Sequence, residues 1–392
     1  MIAFPDIRKD TNIHSDLAEE FRNKGHKVYV ATILESKQGI NTTLDDENGL
    51  NVLRIRTGDF FKTDKITKGI TLLSLPRNFI KAIKKHISNM KFDLIIFPTP
   101  PITFAPVANY FKKKDGSFVY LVLRDIFPQN AVDLKMMPRG IVFDYFRSLE
   151  KKMYCISDKI GCMSKGNIDY VLKNNKVSSD KLEVLYNWKT IRKITKGEKS
   201  VKDNLGIKEE LIALFGGNIG LPQGLEFLIL LAEQYKDNSK IGFVIVGDGT
   251  EKGKIKRLAE QKNLKNVHFI NQLNRMDYNQ LLLETDIGLI NLSEKFTIPN
   301  IPSKTLDYFD AGIPILGAVD ENTDYKELIE GIGSGLVCKT GDLEVYKKNF
   351  ETLIRDKELR IEMGKKGREF FLKHMTSEKA YEVIMNSYLN KE

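Results

Sequence analysis

Residues 211–228 read LIALFGGNIGLPQGLEFL: an apolar run, a turn dense in glycine, then an apolar helical start. A run apolar on both faces fits a strand buried in a parallel sheet, and glycines at its end let backbone amides approach an anion closely. The turn is neither a Walker loop, which ends in Gly-Lys-Ser/Thr, nor Gly-x-Gly-x-x-Gly. Read alone, it is equally well a tight turn.

Similar runs flank it. KVYVATI (27–33), DLIIFPTP (93–100), SFVYLVLRD (117–125), KIGCMS (159–164) and LEVLYN (182–187) come before it. IGFVIVGDG (241–249), NVHFINQL (266–273), IGLINLS (287–293), IPILGAV (313–319) and GLVCKT (335–340) come after. Amphipathic helical patterns separate them, which makes the fold class α/β with two doubly wound, Rossmann-like domains. The polar, lysine-rich stretch 188–208 reads as the linker. This predicts an N-terminal domain over 1–190, a C-terminal domain over 191–376, and a last helix over 377–392, capped by Ser377 and packing back on the first domain. Only Met1–Phe4 precede Pro5, too little for the central strand that opens such a domain, so the first strand is expected to be truncated.

The chain has 392 residues, 42% hydrophobic and 29% charged, with a net charge of +9. Length implies more than one core, and the charge favours anionic partners. No apolar run reaches the roughly 18–20 residues of a membrane span. Three scattered cysteines support neither a disulfide framework nor zinc, which points to the cytosol. No Asp-x-Asp, HxxxH, Gly-x-Ser-x-Gly or nucleic-acid module occurs, so no metal site and no nucleic-acid partner are expected.

Ligands of open parallel sheets bind beyond the carboxyl ends of the strands. Three second-domain loops lie at that edge: the glycine turn at 216–224, VGDG at 246–249, and TIPNIPSKTLDYFDAGIPIL at 297–316. In the last, Pro299 and Pro302 stiffen the loop, Ser303 is placed to cap a helix, Lys304 neutralises phosphate, and Asp307 shares their helical face. A capped helix with a surface ion pair is the plainer alternative. For Gly247, a strand-to-helix turn is more natural than ligand contact. In the first domain, Arg124 and Asp125 end a buried strand in LVLRDIFPQNAVDL (121–134), and His14 opens the first amphipathic helix. These face the interdomain cleft in the expected fold, with a local Arg–Asp ion pair as the competing reading. DFFKTDKITKGITLL (59–73) sets Phe60 and Phe61 beside lysines, and NFIKAIKKHISNMKF (78–92) reads as an amphipathic helix with a cationic face. Both suit an anionic membrane surface.

Taken together these motifs resemble the retaining GT-B glycosyltransferases of family 4, and within them the WbuB-like bacterial enzymes of O-antigen, capsule and exopolysaccharide assembly. The resemblance spans the chain. It rests on HSDLAEEFRNKGHKVYV, LRDIFPQNAVDL, an ExxxYxxxD helix at Glu150, Tyr154 and Asp158, YNW at 186–188, GGNIGLPQGLE, VGDG and PSKTLDYFDAGIPIL. It implies metal-independent transfer of a sugar, an N-acetylhexosamine or a relative, from a UDP-sugar donor to a glycan or undecaprenyl-diphosphate-linked acceptor. It further implies a cytoplasmic location with peripheral contact at the inner membrane face, and no cofactor. By the same resemblance Gly217, Asn218, Ser303 and Lys304 meet the diphosphate, Asp307 the ribose, the 271–273 loop with Gln272 the base, and Gly247 lies on the donor side. His14, Arg124 and Asp125 are the catalytic candidates. Two departures stand out: Pro299 occupies the place of a donor-sugar glutamate, and Gln223 that of a loop lysine. A UDP-sugar 2-epimerase of the same architecture, or a non-catalytic nucleotide-sugar-binding partner, remains an alternative function.

Overall fold

A computed structural model describes residues 4–8, 10–59, 63–192 and 200–391. The chain forms two compact units, Met1–Thr190 with Thr376–Glu392, and Ile191–Met375.

The N-terminal unit holds strands β1 (Tyr29–Glu35), β2 (Thr43–Glu47), β3 (Leu50–Thr57), β4 (Leu94–Pro98), β5 (Phe118–Leu123), β6 (Lys159–Cys162) and β7 (Leu182–Val184). They make two sheets, ordered β1-β3-β2 and β4-β5-β6-β7. The second is parallel throughout, and every residue of β5 is buried. The first departs from the sequence reading, which took this domain's strands as one buried parallel series. Here β2 and β3 form an antiparallel hairpin that the reading passed over. Its turn, Asn48-Gly49, holds both residues at positive φ, 52° and 83°, the type I′ geometry that suits the twist of a two-residue hairpin.

Helix α1 (Ile13–Asn23) is capped by Asn12, whose side chain accepts from the His14 and Ser15 amides. It packs Leu17 and Phe21 into a core with Tyr120, Val122, Trp188, Ala380 and Ile384. The helix Ser377–Leu389, which supplies the last two, is capped by Thr376 rather than Ser377. Helix α2 (Lys65–His86) starts earlier and ends sooner than the stretch read as amphipathic, and it lies against β3 and helix α3 (Ala105–Asp115). Phe60, Phe61 and Lys62 lie outside the described residues. An apolar cavity of about 630 Å³ lies between β1 and β4, lined in part by Phe21, Val30, Ile96, Phe79 and Trp188.

Chain on both sides narrows the linker expected at 188–208. Trp188 is buried, with its indole N–H donating to the Ile13 carbonyl at 2.6 Å, and Lys189 bridges to Thr376. Downstream, the Val201 and Lys202 amides donate to the Glu284 carboxylate, which ties them to the second unit.

That unit is one six-stranded parallel sheet: β8 (Leu211–Gly216), β9 (Ile241–Val246), β10 (Val267–Ile270), β11 (Ile287–Asn291), β12 (Ile315–Val319) and β13 (Gly335–Lys339), ordered β10-β9-β8-β11-β12-β13. Chain order reverses direction between β8 and β11, where a doubly wound sheet opens its ligand crevice.

Candidate functional site

At that switch point the strands part. β8 and β11 pair only at Ala213–Ile287 and Leu214–Gly288. Beyond, Tyr308 takes over: its hydroxyl donates to the Leu214 carbonyl at 2.7 Å, lies 3.2 Å from the Leu289 carbonyl, and accepts from the Gly216 amide at 3.3 Å. Its ring fits because β11 carries Gly288, where a Cβ would lie 2.5 Å from the ring. One buried phenol thus satisfies backbone groups that the splayed strands release.

The loops beyond the fork are built on each other. Gly217, at φ +130°, continues β8, and its amide donates to the Val246 carbonyl. A Cβ on Gly247 would lie 1.9 Å from the Gly217 carbonyl oxygen, and one on Gly249 would lie 2.2 Å from that of Ile219. The VGDG glycines therefore serve close backbone packing, the plainer of the two sequence readings. Asn218 is exposed beside them. Gln223, standing where a lysine was expected by resemblance, accepts from the Gly220 amide at 3.2 Å and so shapes its own loop. Farther along the edge, the Lys252 ammonium bonds the Gly247 carbonyl and the Asn271 side chain, both at 2.8 Å, and Gln272 is exposed next to it.

Lys304 reaches the same fork. Its Nζ lies 4.4 Å from the centre of the Phe215 ring, and a Cβ on Gly217 would be 3.7 Å from its Cε. Although part of the residue meets solvent, burial of the ammonium lowers its pKa to about 8, while Asp307 pulls it back up. Asp307, one turn on, is half-buried. The cap assignment for Ser303 fails. The helix runs Thr305–Ala311 with Lys304 at its N-cap and no side-chain cap bond, because Pro302–Lys304 already form a turn whose carbonyls accept from Thr305, Leu306 and Asp307. The Ser303 side chain is left exposed. Pro299 is buried.

Two residues here escaped the sequence reading. Tyr308 lay unremarked inside the quoted motif. Tyr278, on the helix Arg275–Leu283, brings its hydroxyl within 2.0 Å of where a Gly216 Cβ would stand, and burial raises its pKa well above the phenol range. Periodicity carries no signal for either, since an aromatic at a helical core spacing looks like ordinary core.

In the N-terminal unit the carboxyl end of β5 gathers the other candidates. The Thr99 hydroxyl accepts from the Arg124 amide at 3.1 Å and the Asp125 amide at 3.4 Å. The Arg124 guanidinium donates to Asn187 at 3.3 Å, so its geometry is set by Asn187 and not by the adjacent carboxylate. Burial raises the Asp125 pKa, partly offset by Arg124, and lowers that of Arg124 itself. His14 lines the apolar cavity; burial, then the Arg124 charge, lowers it to about 3. An imidazole so held is neutral and a poor general base at neutral pH. Glu150 and Tyr154 of the ExxxYxxxD helix are scaffold: both are buried, with the phenol donating to the carboxylate at 2.8 Å. Asp158 accepts from Lys112 and the Val119 amide. Among the described residues no group of three or more His, Cys, Asp or Glu is placed to hold a metal ion.

With this geometry in hand, residues 198–370, nearly all of the second unit, match the family described as Glycosyl transferases group 1. The match falls within the second unit. A probable glycosyltransferase, WbjE of Pseudomonas aeruginosa, is 23% identical over 67% of this chain and 66% of its own length. The N-acetylgalactosamine-N,N'-diacetylbacillosaminyl-diphospho-undecaprenol 4-alpha-N-acetylgalactosaminyltransferase of Campylobacter jejuni is 23% identical over 74% of each chain. The matches thus span about two thirds to three quarters of these relatives. The solved structure of Anabaena HepE in complex with UDP superposes with a TM-score of 0.70 at 14% identity, covering 97% of this chain and 95% of that one. The fold of the chain is GT-B. Lys304, Gly217 and Tyr308 all lie within the matched residues.

Proposed function

We propose that the protein transfers a sugar, an N-acetylhexosamine or a relative, from a UDP-sugar to a glycan or lipid-diphosphate-linked acceptor in bacterial surface polysaccharide assembly, with retention of configuration and without a metal. The observation that carries this reading is the buried Lys304 ammonium at the β8–β11 fork, beside the exposed residues Gly217 and Asn218. A fixed cation in a partly desolvated site stabilises negative charge that grows on a departing diphosphate. The sugar's bond to that diphosphate breaks with its electron pair going to the phosphate oxygen, and the acceptor hydroxyl oxygen forms the new bond as its proton passes to the departing diphosphate. Asp307, one helical turn from Lys304, suits the ribose hydroxyls, and Asn271 and Gln272 at the next loop suit the base. Arg124 and Asp125 are assigned to the acceptor or sugar side. Further support comes from the UDP bound by HepE and the lipid-linked acceptor in the Campylobacter relative's name.

Saturating UDP is expected to raise the melting temperature by mass action, and Asp307→Ala is expected to shrink that rise. An unchanged rise removes Asp307 from the site. Screening UDP-sugars with a lipid-diphosphate-sugar acceptor is expected to release UDP only when both are present. A new epimer formed without acceptor overturns the transferase reading in favour of a 2-epimerase.

A further inference from the structure

The loop that delivers Lys304 has no regular structure of its own. Between β11, which ends at Asn291, and the helix that starts at Thr305, residues 292–304 form neither helix nor strand. They are nevertheless packed down: Phe296, Ile298, Pro299, Ile301 and Pro302 are buried. A buried loop must satisfy its backbone polar groups without the help of a ladder. Here several of the partners come from one short stretch, residues 320–325, which follows β12.

Three side chains of that stretch reach across. The Asn322 side-chain amide donates to the Phe296 carbonyl at 2.6 Å. The Thr323 hydroxyl accepts from the Asn300 N–H at 3.4 Å and donates to the Asn300 carbonyl at 2.9 Å, so one hydroxyl serves both backbone groups of that residue. The Tyr325 hydroxyl lies 2.7 Å from that of Thr305, and both residues are fully buried. The stretch is itself shaped locally, since the Asp320 carboxyl accepts from the Asn322 backbone N–H at 2.9 Å. Lys304 therefore stands between two anchors, with Asn300 four residues before it and Thr305 directly after it. Pro302, whose ring fixes φ, stiffens the chain between Asn300 and the lysine. The helix start has no side-chain cap bond of its own, so its placement depends on these outside contacts.

We propose that Thr323 and Tyr325 are positioning residues of the donor site: by anchoring Asn300 and Thr305 they hold the Lys304 ammonium over the Phe215 ring, where it meets the donor diphosphate. The assignment rests on the transferase reading for its ligand and adds to it a second loop that acts through Lys304. A misplacement of about 1 Å is costly where a fixed charge must meet a developing one. The competing account is that both hydroxyls only stabilise the second unit, in the manner of Ser334, a buried serine whose hydroxyl donates to the Ile329 carbonyl at 3.2 Å.

The test is calorimetric binding of UDP to the full chain, with melting temperatures measured alongside. Thr323→Val and Tyr325→Phe keep the side chain's shape and remove only its hydroxyl. Each is expected to raise the UDP Kd about tenfold, and should one of the two fail to fold, the other decides. Thr323→Ser, which keeps a hydroxyl, should restore the wild-type value. Ser334→Ala should lower the melting temperature and leave Kd as it was. In a Lys304→Met background, Thr323→Val should cost less than about twofold in Kd, because the group it positions is gone. An undiminished cost in that background, or a wild-type Kd in both hydroxyl variants, overturns the proposal and leaves the transferase reading in place. Failure of the wild-type chain to bind UDP overturns the transferase reading, and this assignment with it.

Discussion

In the proposed function, Lys304 is the residue on which the chemistry turns. Its ammonium, 4.4 Å from the centre of the Phe215 ring, titrates near 8 because burial disfavours its charged form. A bound diphosphate favours that charged form, so binding above about pH 8 takes up a proton and costs affinity. Calorimetric Kd values for UDP are therefore expected to rise through pH 8–9, by up to about tenfold per pH unit once Lys304 is neutral in the free protein. In Lys304→Met the affinity should be weak and this slope absent; an unchanged slope would separate Lys304 from the diphosphate. The identity and neighbourhood of Lys304 were legible in the sequence, because a cation after a strand end and beside a stiff loop has few purely structural uses. Its lowered pKa was not, since that depends on Phe215 and on burial by residues distant along the chain.

At the scale of elements, the site is a contact between loops. The GGNIG turn after β8 and the VGDG turn after β9 approach so closely that neither Gly247 nor Gly249 leaves room for a Cβ. Gly247→Ala, at φ +139° and with a Cβ that would lie 1.9 Å from the Gly217 oxygen, should push the Gly217 backbone off its position. A stability loss of about 2 kcal/mol or more is expected by thermal melting, together with a smaller UDP-induced shift. A wild-type shift would show that the loop contact is dispensable for binding. The glycines themselves were visible in the sequence as turn signals, but their partners were not. The β2–β3 hairpin is the opposite case, because its partners are near neighbours and Asn48-Gly49 is a hairpin signal written in the sequence itself. Ser303 shows the limit of capping rules: a serine before a helix caps only if the backbone leaves an amide for it, and the Pro302–Lys304 turn leaves none.

At the scale of the whole molecule, each unit has its own core, and the chain's last helix belongs to the first unit. Ala380 and Ile384 pack with Leu17, Phe21 and Trp188, and the Tyr381 hydroxyl lies 2.9 Å from a His26 ring nitrogen. Deleting residues 377–392 removes several buried side chains, each contributing about 1.5–3 kcal/mol. The first unit should then melt at a lower temperature or not fold. Trp188, the single tryptophan of the chain, should report this as a red shift in fluorescence. UDP should still stabilise the second unit, and loss of both effects together would contradict independent cores. Local pattern alone determined that this protein is α/β with two doubly wound domains, and it picked out the strand ends that carry glycine, Lys304 and Arg124, because burial on both faces and turn chemistry are written into neighbouring residues. Tertiary structure decided that β8 and β11 part at Leu214, that Tyr308 holds the fork open, that Asn187 aims Arg124, and that Gln223 shapes a loop. Those roles depend on hydrogen bonds and close contacts between residues remote in sequence, which no spacing along the chain can encode.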